Sequence, residues 1–331
     1  MSHSPQTPEL IQDFLQGNRA ALGRAITLVE SNHPKHQMAA EAILSAAMSA
    51  KKNSIRIGIT GVPGVGKSTF IEALGKLLIS QGHRVAVLAV DPSSQRSQGS
   101  ILGDKTRMQE LSRDEDAFIR PSPSGETLGG VARKTRESMI LCEAAGYDVI
   151  LVETMGVGQS EILVHSMVDF FLLLKLAGAG DELQGIKRGI MEMADSIVIN
   201  KADGENKQRA QRAQKEFQGA LHYLQQRGDG WSPQVLLSSG LHNQGIEEVW
   251  SLIEGYIKES LASGKFDQQR SEQEAEWFYQ SLKEQLQQAF QDSPKMKAAL
   301  SEKLEAIQKR QATPYRAALG LVEDFLKEGQ S

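Results

Sequence analysis

Residues Gly61-Val62-Pro63-Gly64-Val65-Gly66-Lys67-Ser68, followed by Thr69, have the spacing G-x-x-x-x-G-K-S. That spacing suits a polyphosphate for physical reasons. Glycines let successive backbone N–H groups turn inward without a clashing Cβ, and a helix starting at the end of the loop adds the positive end of its dipole. Lys67 reaches the β- and γ-phosphates, and the Ser68 hydroxyl is placed to ligate Mg²⁺. The flanks agree: an apolar run over 55–60 precedes the loop, and Phe70, Leu74, Leu77 and Leu78 follow at helical spacing. The motif predicts binding of a nucleoside triphosphate.

A second constellation chooses the base. Asn200-Lys201-Ala202-Asp203 has the N-K-x-D order and follows an apolar stretch over 196–199. A carboxylate at 203 accepts from guanine N1–H and the 2-amino group together, a pair that adenine does not offer. Asn200 is placed to hold the neighbouring loop and contact N7, and the Lys201 stem to cover the base. The alternative for Asp203 is a helix N-cap. Downstream, Val235-Leu236-Leu237-Ser238-Ser239-Gly240-Leu241 reads as a strand and a loop whose Ser239, Gly240 and Leu241 border guanine O6.

Mg²⁺ takes hard oxygen ligands. Besides Ser68, the carboxylates nominated are Asp91, Asp104 and Glu153, each at or near the carboxyl end of an expected strand, where open α/β sheets collect ligands. Turn and N-cap roles remain the alternatives for Asp91 and Asp104. Glu153-Thr154-Met155-Gly156 stands where many GTPases have D-x-x-G, with Gly156 free to bring its N–H to the γ-phosphate. For the hydrolytic step the spacing nominates Lys67, Glu153 and Gln159. No Gln directly follows Gly156, so slow intrinsic turnover is expected.

The elements that must position these groups follow from periodicity. Residues 1–52 read as a helical extension with breaks at Gly17-Asn18 and Asn32-His33-Pro34. Residues 53–260 alternate strands (55–60, 84–90, 118–120, 148–152, 170–176, 196–199, 235–237) with helices. Near-continuous apolar character marks strands covered on both faces. The fold class expected is α/β: a P-loop NTPase with a mostly parallel sheet flanked by helices. Residues 261–331 read as a helical arm, with Phe278, Leu282, Leu286 and Phe290 at four-residue spacing.

Composition narrows the function. The 331 residues carry a net charge of −4, which offers no support for nucleic-acid or polybasic membrane binding. No apolar run approaches the roughly 18 residues needed to span a bilayer, and Met1-Ser2-His3-Ser4-Pro5 lacks the order of a signal peptide. Cys142 is the one cysteine, so no internal disulfide is possible. A cytoplasmic protein is expected.

Several longer segments, Val90-Asp91-Pro92-Ser93-Ser94, Gly99-Ser100-Ile101-Leu102-Gly103-Asp104-Lys105-Thr106-Arg107-Met108, Glu153-Thr154-Met155-Gly156-Val157-Gly158-Gln159-Ser160-Glu161 and Gly178-Ala179-Gly180-Asp181-Glu182-Leu183-Gln184-Gly185-Ile186-Lys187, closely resemble the MeaB/ArgK GTPases. The likeness covers essentially the whole chain. Its departures are Met155, where the family usually has Val, and Gly240 in place of Ala. The resemblance implies GTP/GDP and Mg²⁺ as ligands and a homodimer formed through the C-terminal helices. It also implies a partner, an adenosylcobalamin-dependent acyl-CoA mutase of the methylmalonyl-CoA mutase type, whose cofactor loading and protection the GTPase governs. Asp181, Glu182 and Lys187 match a segment that acts as an additional switch in the family. The rival readings are a P-loop kinase of the arginine/ornithine-transport type and a metal-insertion GTPase.

Overall fold

The computed structural model describes residues 7–50, 52–90, 108–121, 128–154, 160–177, 188–223 and 230–328. Helices α1 (Thr7–Leu15), α2 (Arg19–Val29) and α3 (Pro34–Ser49) come first. Their breaks have local causes. The Asn18 side chain accepts from the Ala21 amide at 3.0 Å and caps α2. Pro34 opens α3, where its missing N–H costs no helix bond.

The strands that follow are β1 (Ile55–Gly61), β2 (Val85–Val90), β3 (Ala117–Arg120), β4 (Val149–Thr154), β5 (Phe170–Leu176), β6 (Ser196–Asn200) and β7 (Gln234–Leu237). They form one parallel sheet in the order β3-β2-β4-β1-β5-β6-β7. Helices α4 (Lys67–Ser80), α5 (Leu128–Ala144), α6 (Ser160–His165), α7 (Arg188–Met193) and α8 (Lys207–Tyr223) lie between them in the chain, and α9 (Ile246–Ala262) follows β7. Phe70 and Leu74 of α4 and Trp250 and Ile253 of α9 share one core with Ile57, Ile59 and Leu172. Ala213 and Phe217 of α8 share another with Ile197 and Ile199. Apolar side chains on both faces of every central strand explain why the strands read as unbroken apolar runs. The architecture is the α/β P-loop class, and it gathers the carboxyl ends of β1, β4 and β6 on one rim.

The opposite rim is held by charge. Arg270 lies in α10 (Lys265–Asp292) and forks onto Asp169, Nε to Oδ1 at 2.8 Å and Nη2 to Oδ2 at 2.7 Å. Glu143, fully buried at the end of α5, accepts from Arg56 at 2.8 and 3.0 Å and from the Ser54 hydroxyl at 2.5 Å. Burial works to raise the Glu143 carboxyl, yet Arg56, Ser54 and Arg270 overcome it and hold the group below its ordinary range. Cys142 is buried beside this cluster, and burial pushes its thiol well above the usual range, so it is a core residue and not a nucleophile.

One compact unit of the chain ends at Gln273 and a second begins at Glu274. The second holds the rest of α10 with α11 (Pro294–Gln308) and α12 (Pro314–Glu328). Within it Phe290 and Phe325 meet edge to face at 5.4 Å, and Met296 and Leu321 are buried. Phe278 (63% exposed), Leu282, Leu286 and Leu304 (51%) face outward.

Candidate nucleotide-binding site

The loop after β1 is drawn together by its own lysine. Lys67 is 8% exposed, and its Nζ donates to the Gly61 carbonyl at 2.7 Å and the Val62 carbonyl at 3.3 Å. Lys67 is the first residue of α4, whose N-terminus carries no side-chain cap. The first-turn amides therefore stand at the loop with the dipole behind them, an arrangement that favours an anion. Val65 is buried, while Pro63, Gly64 and Thr69 are exposed.

The base motif is bonded directly to this loop. Asn200, at the end of β6, donates from Nδ2 to the Val65 carbonyl at 2.9 Å and to that of Gly66 at 3.4 Å. Gly66 has φ +93°, and a Cβ there would come 2.9 Å from that same Nδ2. A side chain at 66 is thus excluded both by backbone conformation and by the clamp. Lys201 sits at φ 58°, rare for a residue with a Cβ, and its Nζ donates to the Gly64 carbonyl at 2.8 Å. Its carbonyl is held by Asn206 Nδ2 at 2.7 Å. Two consecutive side chains of the N-K-x-D motif therefore reach across to the phosphate loop.

Asp203 stands ahead of a short 3₁₀ turn, but its carboxylate does not cap it. Instead Oδ2 accepts from the Ser239 hydroxyl. Asn200 Oδ1 accepts from the Ser238 hydroxyl at 3.0 Å and from the Gly240 amide at 3.4 Å. The loop after β7 is pinned by a pair of main-chain bonds between Ser239 and Gln244, at 2.8 and 3.1 Å. A Cβ on Gly240 would lie 3.0 Å from the Phe70 backbone, so glycine lets this loop lie against the first turn of α4. Leu241 is 73% exposed beside it. The Ser238 hydroxyl joins the site although the expected base loop begins only at Ser239. The side-by-side serines at a strand end were the available signal.

On the metal side, Glu153 is 4% exposed at the end of β4, and its Oε1 accepts from the Ser68 hydroxyl at 3.3 Å. A buried carboxylate and a hydroxyl at contact distance are both hard oxygen donors, and this donor set fits Mg²⁺. Asp91, Asp104, Gly156, Gln159, Asp181, Glu182 and Lys187 lie outside the described residues.

Comparison with known proteins agrees with this geometry. The family model described as methylmalonyl Co-A mutase-associated GTPase MeaB matches residues 22–295. GTPase ArgK of Escherichia coli (strain K12) is 52% identical over 278 residues, 84% of each chain. The methylmalonic aciduria type A homolog, mitochondrial, of Mus musculus is 45% identical over 326 residues, 96% of this chain and 79% of that one. A crystal structure described as LAO/AO transport system kinase superposes with a TM-score of 0.79 at 41% identity, covering 98% of this chain and 99% of the other. With a phosphate loop clamped to a guanine-type base motif, and a family match that runs through both, the chain belongs to the MeaB family of GTPases.

Proposed function

We propose that the chain binds GTP with Mg²⁺ in this cleft, and that its nucleotide state governs cofactor loading and protection of an adenosylcobalamin-dependent acyl-CoA mutase. The carrying observation is the clamp: Asn200 bonds to the phosphate loop at Val65 and to the base loop at Ser238, while Asp203 is fixed beside Ser239. A purine held by Asp203 then belongs to the nucleotide whose phosphates the loop holds. Ser68 and Glu153 would hold the metal, with Asp91 and Asp104 as further ligands. The ion, when bound, neutralises charge on the phosphate oxygens. Lys67 faces the β- and γ-phosphates, the α4 amides hold the anion, Gly156 reaches the γ-phosphate and Gln159 orients water. With no glutamine directly after Gly156, turnover is slow until a partner orders the site. Asp181, Glu182 and Lys187 are proposed to carry the nucleotide state to the partner.

The mutase partner is supported by the family description, which names methylmalonyl-CoA mutase. We place the protein in the cytoplasm; no helix among the described residues is long and apolar enough to cross a membrane. A kinase is the second reading, since the solved relative is described as one. Incubation with γ-labelled GTP, magnesium and arginine or ornithine separates the two. Label released as inorganic phosphate supports the GTPase, whereas labelled amino acid overturns it. For the mutase role, purified methylmalonyl-CoA mutase is the probe: its cofactor loading should change between GTP and a non-hydrolysable analogue, and indifference to nucleotide contradicts the proposal.

We also propose a homodimer built on the second unit, whose outward Phe278, Leu286 and Leu304 need cover. A chain ending at Gln273 keeps the Arg270 fork, which an end at Gly264 would remove while leaving Asp169 and Glu143 buried without it. Light scattering should find this shortened chain monomeric and still folded; a dimer would place the interface elsewhere.

A further inference from the structure

β1 and β4 run side by side as far as Ile59 opposite Glu153. Beyond that pair they part. β1 follows β5 until Gly61 stands opposite Leu174, whereas β4 follows β2 until Thr154 stands opposite Val90. They separate where Ser68 and Glu153 have to meet. At the parting point stand Thr60 and Thr154, 1% and 0% exposed, with their Oγ1 atoms 2.7 Å apart. Alternation along a strand puts both on the face opposite Glu153, so the pair does not compete for Ser68. Among the described residues, each hydroxyl has the other as its side-chain partner.

Replacing both members of a buried hydrogen-bonded pair by apolar groups of the same shape is nearly neutral for stability. The value of the pair then lies in direction. A hydroxyl bond fixes the lateral separation of two strand ends at a place where no ladder pairing does so. We propose that the Thr60–Thr154 bond positions Glu153, setting the distance between the end of β4 and the phosphate loop at which the carboxylate meets Ser68. Thr60 and Thr154 act through Glu153 and touch neither nucleotide nor metal. The proposal rests on reading Ser68 and Glu153 as the metal-side pair.

The test compares Thr60→Val, Thr154→Val, the double valine variant and Thr154→Ser in the full chain. GTP turnover is measured across magnesium concentrations, and GDP affinity in EDTA. Each valine variant, including the double, should lower kcat about tenfold and raise the magnesium concentration for half-maximal turnover. GDP affinity without metal should stay within about twofold of the parent, because the cradle is untouched. The serine variant, which keeps the hydroxyl, should behave as the parent. The double variant orphans no hydroxyl, so it should melt near the parent temperature and yet remain slow. Parental turnover and magnesium dependence in the double variant would overturn the proposal, as would a serine variant as impaired as valine. Glu153→Gln separates the two levels. If its magnesium dependence is unchanged, the metal-side reading itself is wrong; if it shifts while the threonine variants match the parent, only the positioning role is wrong.

Discussion

Lys67→Ala should lose tight GTP binding and, with it, measurable turnover. The ammonium is 8% exposed and is held over the loop by the Gly61 and Val62 carbonyls. In the proposed complex its charge meets the β- and γ-phosphates from there, in a partly desolvated site. Truncating one partner of such a buried charge pair costs about 2–5 kcal/mol, or roughly thirtyfold to several-thousandfold in affinity. The same change leaves two loop carbonyls without their donor, so the loop also loses its internal tie. A fluorescent-GTP titration, paired with a thermal melt to show that the sheet is intact, reads the effect. An unchanged affinity would remove Lys67 from the phosphate site.

Asp203→Asn should exchange GTP for xanthosine triphosphate. Xanthine keeps N1–H but carries an oxygen at position 2, which needs a donor where guanine needs an acceptor. Ser239 decides which end of the new amide faces the base. Its hydroxyl donates to Oδ2 of Asp203, so in the variant it holds the amide oxygen and leaves the NH₂ facing the base. GTP then meets donor against donor. The expected loss is about 2–3 kcal/mol, or roughly thirtyfold to 150-fold, with a gain of similar size for xanthosine triphosphate. Competition of the two nucleotides against labelled GDP measures both. If the variant keeps its preference for GTP, Asp203 does not read the purine.

The inner strands were legible because their apolar residues are covered on both faces, so that pattern and burial coincide. The edge strand β7 was legible from its apolar run although Leu236 and Leu237 are only half-buried. The breaks at Asn18 and Pro34 were legible because capping and the missing proline amide are local effects. The phosphate loop and base motif were readable for the same reason: each works within a few residues. What the sequence did not contain is the order of strands in space. The insertion of β4 between β2 and β1 is what brings Glu153 to Ser68 across 85 positions. Arg270 pairs with Asp169 from 101 positions away. Thr60, at the end of one apolar run, and Thr154, inside the Glu153–Gly156 motif, meet across 94 positions. Pairings of this kind depend on tertiary closeness and have no signature in spacing. The Arg270 fork onto Asp169 falls within the first unit, which ends at Gln273.

The proposed GTP selectivity rests on one pocket, shared by the phosphate loop and Asp203. Calorimetric titration of the intact chain with GTP and with ATP, each in magnesium, tests it most directly. The half-buried carboxylate of Asp203, held by Ser239, predicts that GTP binds at least about a hundredfold more tightly than ATP. Equal affinity for the two would contradict it.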